Sequence, residues 1–98
     1  MAPHIDEPLL ARIRAQPCWW CGARPPSQAA HLVGKGHEGH RRADVPLNLA
    51  ALCLWCHQAS HYHQEPILCQ LVALVAARNK TTIDAVEEVL RCIRWGKL

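Results

Sequence analysis

The sequence predicts a small α+β domain, tied together by four cysteines and flanked by N- and C-terminal helices. Three observations predict it. A chain of 98 residues has room for one modest core. Two Cys-x-x-Cys pairs, Cys18/Cys21 and Cys53/Cys56, bracket short apolar and turn-forming stretches. The last third carries apolar residues at helical spacing, and alanine and leucine supply much of the hydrophobic fraction of 50%.

Each element has a local reason. Ile5 to Arg14 reads as an opening helix with Asp6 as cap and Pro8 in its first turn, stopped by Pro17. Ala29 to Val33 suits a short strand carrying His31. Residues 34–40 hold three glycines and read as a loop. Val45 to Leu54 runs back to the second cysteine pair, and a helix from Trp55 or Cys56 sets His57 and His61 at i and i+4, on one face. Pro66 to Ala77 forms a helix with a broad apolar stripe at positions 67, 68, 71, 72, 74 and 75. Asn79 and Lys80 break it. Thr81 or Thr82 then caps a helix to about Trp95, with Ile83, Val86, Val89, Leu90 and Ile93 inward and Gly96 as its end. The chain reads as a single domain over 1–98, with a motif core at 18–63 and a helical extension at 66–95.

Composition excludes several classes. With 19% charged residues and half the chain apolar, whole-chain disorder is excluded, and so are collagen and coiled coil. Met1 to Glu7 has neither a basic n-region nor a following apolar run. The longest apolar stretch is interrupted by Gln70 and is too short to span a bilayer. The expected location is cytoplasmic, where thiols stay reduced and paired Cys-x-x-Cys motifs bind metal rather than form disulfides or a redox couple.

The cysteine pairs predict a structural zinc held by Cys18, Cys21, Cys53 and Cys56. Each two-residue gap lets two thiolates reach one tetrahedral ion from a single turn, and Gly22 frees the first turn. Metal binding then contributes folding free energy to a small core. Cys69 and Cys92 fall on apolar faces and are expected to be core thiols. Four thiolate charges against the two of a zinc ion lower the formal charge from +3 to +1, so net charge does not argue for nucleic acid. Local clusters say more. Lys35, Arg41 and Arg42 share one segment and suit phosphate contacts, and Arg91, Arg94 and Lys97 close the chain. Trp19, Trp20 and Trp55 lie in the cysteine knuckles, where they can stack bases, although packing around the zinc is expected for at least two of them.

Between the cysteine pairs, the chain reads Ala29-Ala30-His31-Leu32-Val33, then Pro46-Leu47-Asn48-Leu49, then Cys53-Leu54-Trp55-Cys56-His57 and His61. This order resembles the HNH endonuclease family in its zinc-ribbon form, as found in phage and prophage proteins. The resemblance covers about residues 18–63 and implies a ββα-metal finger that hydrolyses DNA phosphodiester bonds to 5′-phosphate products. It assigns His31 as general base, Asn48 as the residue that holds the loop and orients His31, and His57, with His61, as ligands of a catalytic ion. That ion would be Mg²⁺, Mn²⁺, Ni²⁺ or Zn²⁺, separate from the structural zinc.

Ala30 departs from the pattern, because many members carry Asp or His there as a further ligand. His61, His37 or His40 can replace it, or His31 can itself be a ligand with a loop histidine as base. Alternatively the site holds no metal, leaving a zinc-stapled nucleic-acid-binding module or a phage accessory interaction module that docks through its C-terminal helices. His4, His37, His40 and His63 are otherwise expected in solvent.

Overall fold

The computed structural model describes residues 5–33, 43–62 and 64–95, with backbone only for 61, 62 and 64–66. The loop expected at 34–40, with Lys35, His37 and His40, lies outside these residues. So do Arg41, Arg42, His4, His63, Gly96 and Lys97. His61 is placed by its backbone alone.

The described residues form a small α+β fold of four helices and one antiparallel hairpin. Helix α1, Glu7–Arg14, starts where the Asp6 side chain accepts the Leu9 N–H, and it buries Leu9, Leu10 and Ile13. Strand β1 is Gln28–His31, shorter than the expected segment, which also included Leu32 and Val33. The return stretch resolves into a 3₁₀ turn, Pro46–Asn48, and strand β2, Leu49–Leu52. The register pairs Gln28 with Leu52, Ala29 with Ala51, Ala30 with Ala50 and His31 with Leu49.

Helix α2, Leu54–Tyr62, follows the second cysteine pair directly. Helix α3, Gln64–Arg78, begins before the expected Pro66, because a proline in the first turn lacks only an N–H that has no helical partner there. Helix α4, Ile83–Arg94, is capped by the Thr82 side chain, which accepts the Ala85 N–H. Between α3 and α4 the Lys80 N–H donates to the Ala77 carbonyl and the Thr81 N–H to Ala76, with Lys80 at φ 54°. This is a Schellman closure with lysine where glycine is usual.

The core lies around β2, whose Leu49, Ala50, Ala51 and Leu52 are all fully buried. Both faces of this strand are covered, so its apolar run is continuous rather than alternating. Helices α1, α2 and α3 pack on the hairpin, and α4 packs on α3 and on the 3₁₀ turn. Val75 of α3 and Val86 of α4 are both fully buried in this core.

Three expectations are corrected. Ile83 is 48% exposed, not inward, because it occupies the first helical position at the edge of the packed stripe. Cys69 is exposed and Cys92 half-buried, so neither is a core thiol; the helices turn Val72 and Leu90 inward instead. Of the three knuckle tryptophans only Trp19 packs inward, at 7% exposure, whereas Trp20 and Trp55 are 39% and 78% exposed. Trp19 alone is held there by partners. Its backbone N–H donates to Ala51, its Nε1–H donates to Gln16 Oε1, and the Arg78 guanidinium lies 5.3 Å from its ring centre.

Candidate functional site

The four knuckle cysteines converge. Cys18 and Cys21 lie in the turn before β1. There the Gly22 N–H donates to the Cys18 carbonyl and Gly22 takes φ 78°, the left-handed region that glycine enters without strain. Cys53 joins β2 to α2, and Cys56 sits in the first turn of α2 with its N–H on the Cys53 sulfur at 3.5 Å. All four Sγ atoms lie within 4.8 Å of one another. A tetrahedral zinc with bonds of about 2.3 Å needs sulfur–sulfur edges of about 3.8 Å. The Cys21 and Cys53 sulfurs are 3.7 Å apart, so the donor set fits the ion. Among the described residues these four form the only convergent group of three or more metal donors.

The electrostatics point the same way. Burial opposes ionisation of Cys18, but the backbone N–H groups of Cys21, Cys53 and Trp20, with the Cys21 thiol, outweigh it and bring its pKa from 9.0 to about 6. Burial, then the sulfurs of Cys53, Cys18 and Cys21, push Cys56 up. At Cys21 the Ala23 N–H favours the thiolate, yet the sulfurs of Cys18 and Cys53 prevail and raise it. The Cys18 thiolate forms readily, and Cys21 and Cys56 ionise against their neighbouring sulfurs. A dication at the centre removes that conflict.

At the opposite end of the hairpin, His31 Nε2 lies 2.6 Å from Asp44 Oδ1, with side-chain exposures of 4% and 0%. The other carboxylate oxygen, Oδ2, accepts the Asp6 N–H at 2.9 Å, which ties the start of α1 to the same group. Asn48 is fully buried beside them. Its Oδ1 accepts the Val33 N–H at 3.0 Å, and its Nδ2 donates to the carbonyls of Val33 and Ala43, each at 2.9 Å. Asn48 thus fastens both ends of the segment that joins Val33 to Ala43.

His57 stands elsewhere. It follows Cys56 on α2, and its Nδ1 lies 2.5 Å from Gln28 Oε1. Gln28 is three residues before His31, so roughly 10 Å of strand separates the two histidines' anchoring points. Strand alternation puts Ala30, 3% exposed, on the Gln28 face. The fold therefore joins His31 to Asn48 through Asp44 and the Val33–Ala43 stems, and sets His57 beside the zinc cysteines.

Two functional candidates escaped sequence reasoning. Asp44 is the one buried acid among the described residues and lies between Ala43 and Val45, which is the signal that marks it. Gln28 carries no such signal. No family model, curated protein or solved structure matches this chain. Among the described residues no helix is long and apolar enough to cross a membrane.

Proposed function

We propose that this protein is a metal-dependent endonuclease of the HNH type that hydrolyses DNA phosphodiester bonds, with a zinc ion in the four-cysteine site as its structural staple. The observation that carries the reading is the buried His31–Asp44 pair beside Asn48. An ionised Asp44 accepts the Nε2–H of His31, which fixes the tautomer and leaves the lone pair on Nδ1. Nδ1 is buried among the described residues, so water and substrate have to be admitted to it; it then takes a proton from the water as the oxygen bonds to phosphorus. The bond from phosphorus to the 3′ oxygen breaks, leaving a 5′-phosphate and an oxyanion that takes up a proton. Asp44 stabilises the imidazolium so formed.

Asn48 positions this pair through the two loop stems and does not touch substrate. The ion of this reading is assigned to His57, oriented by Gln28, with His61 one turn further along α2. When bound, it would supply positive charge to DNA phosphate at the end of the hairpin opposite His31. DNA phosphates are assigned to Lys35, Arg41 and Arg42.

The test is nicking of supercoiled plasmid with Mg²⁺, Mn²⁺ or Ni²⁺. It compares the zinc-loaded wild type with His31→Ala and Asp44→Asn. Metal-dependent nicking abolished by His31→Ala is the expected result. A folded, DNA-retaining wild type that cuts with no ion supports a second reading, a zinc-stapled nucleic-acid-binding module. Ala30, which offers no ligand, and the exposed indoles of Trp20 and Trp55 beside the cysteines favour that module.

A further inference from the structure

The helical hairpin α3–α4 leaves a groove of about 700 Å³ on its outer side. Leu68, Val72 and Leu90 form its floor, and Ile83 and Trp95, 48% and 74% exposed, stand at the two ends of α4. Positions 83, 87, 90, 91 and 94 fall at helical spacing and all line it, so the groove follows a stripe of α4 that meets the buried one at Leu90. A large indole and an isoleucine exposed around an apolar floor form a patch that a monomer rarely leaves in water.

Charge along this stripe selects the occupant. Its N-terminal half carries Glu87 and its C-terminal half Arg91 and Arg94. Arg91 is paired with Glu88 of its own helix, whereas Glu87 and Arg94 have no ion-pair partner among the described residues. We propose that the groove is covered by a second copy of this chain, with the two α4 helices antiparallel about a two-fold axis near Leu90. In that arrangement Glu87 meets Arg94 of the second copy, twice by symmetry, and Trp95 covers the Ile83 end of the opposite groove. A parallel pairing sets like charges against each other, and a strongly acidic or basic partner satisfies only one half of the stripe. The same polarity suits the helix dipole. The dipole, however, does not require Glu87 and Arg94 to share one face with Ile83 and Trp95.

Sedimentation of the zinc-loaded full chain tests this without reference to catalysis. The expected mass rises from 11.0 kDa to twice that value with concentration. Glu87→Arg and Arg94→Glu each weaken association about ten-fold or more, and the double charge exchange restores it to within about three-fold. Trp95→Ala weakens it by a similar factor of about ten. All three side chains are exposed, and circular dichroism and zinc content show whether each variant is folded. A mass that stays at 11.0 kDa up to about millimolar concentration overturns the proposal, as does a double exchange no tighter than its single parents.

Discussion

Replacing Asp44 by alanine removes the acceptor of two hydrogen bonds, from His31 Nε2 at 2.6 Å and from the Asp6 N–H at 2.9 Å. Both His31 and Asp44 are almost fully buried, so solvent does not take the place of the lost partner. Hydrogen bonds to a charged group contribute about 1.5–3 kcal/mol each. Two of them, partly offset because a buried carboxylate no longer has to be desolvated, give a loss of about 3–5 kcal/mol. That is a large share of the roughly 5–15 kcal/mol available to a domain of this size. Urea unfolding of the zinc-loaded protein, followed by tryptophan fluorescence, measures it as a lower midpoint at unchanged slope.

Asp44→Asn separates shape from charge. The amide oxygen keeps the Asp6 N–H, while the amide N–H₂ faces His31 Nε2 and forces the imidazole proton onto Nδ1. Nitrogen-15 shifts of the ring report that exchange. Under the nuclease reading, nicking falls by about 10²–10⁴-fold, because the basic nitrogen now points at the amide. An Asp44→Ala stability within about 1 kcal/mol of wild type, or an unchanged tautomer in Asp44→Asn, refutes the reasoning.

Other consequences are open to measurement. Chelation of zinc at neutral pH is expected to unfold the chain cooperatively, seen as loss of helical dichroism, since the cysteines join the turn before β1 to the start of α2; a chelated protein of native dichroism contradicts this. Lys80→Gly relieves a left-handed backbone and is expected to raise stability by about 0.5–1 kcal/mol; a lowered thermal midpoint refutes it. Trp55→Ala is expected to leave stability within about 0.5 kcal/mol, given 78% exposure, while weakening single-stranded DNA binding by roughly 1–3 kcal/mol per stacked base; unchanged DNA affinity removes Trp55 from the interface. Ala30→Asp buries a carboxylate where Ala30 is 3% exposed and is expected to cost about 2–4 kcal/mol, recovered in part by added Mn²⁺. An Mn²⁺-insensitive midpoint argues against a divalent ion beside His57.

Features whose cause lies within a few residues were legible in the sequence. The Asp6 and Thr82 caps, the left-handed Gly22 and the two cysteine knuckles each follow from a local rule of geometry or capping. Features set by distant neighbours were not. Asp44 finds His31 across 13 residues and the Asp6 N–H across 38, and nothing in the local sequence specifies either partner. Gln28 meets His57 only because β1 and α2 cross at the zinc end of the hairpin. The exposure of Ile83 and Cys69 was missed because helical spacing gives a stripe its width but not its centre, which the packing of α3 on α4 decides. Packing around the zinc is the expectation for at least two of the three knuckle tryptophans, yet only Trp19 is buried.

The Asn48 clamp has a consequence for how such a chain can change over time. Its side chain fastens Val33 on one side and Ala43 on the other, so the segment between them begins and ends on fixed points whatever its own sequence is. The cost of closing that segment grows slowly, by roughly 0.6 kcal/mol for each doubling of its length. Between those points the length of the chain can change while the hairpin and its Asn48 contacts to Val33 and Ala43 stay in register. A library confined to residues 34–42 therefore varies the chain between two fixed stems.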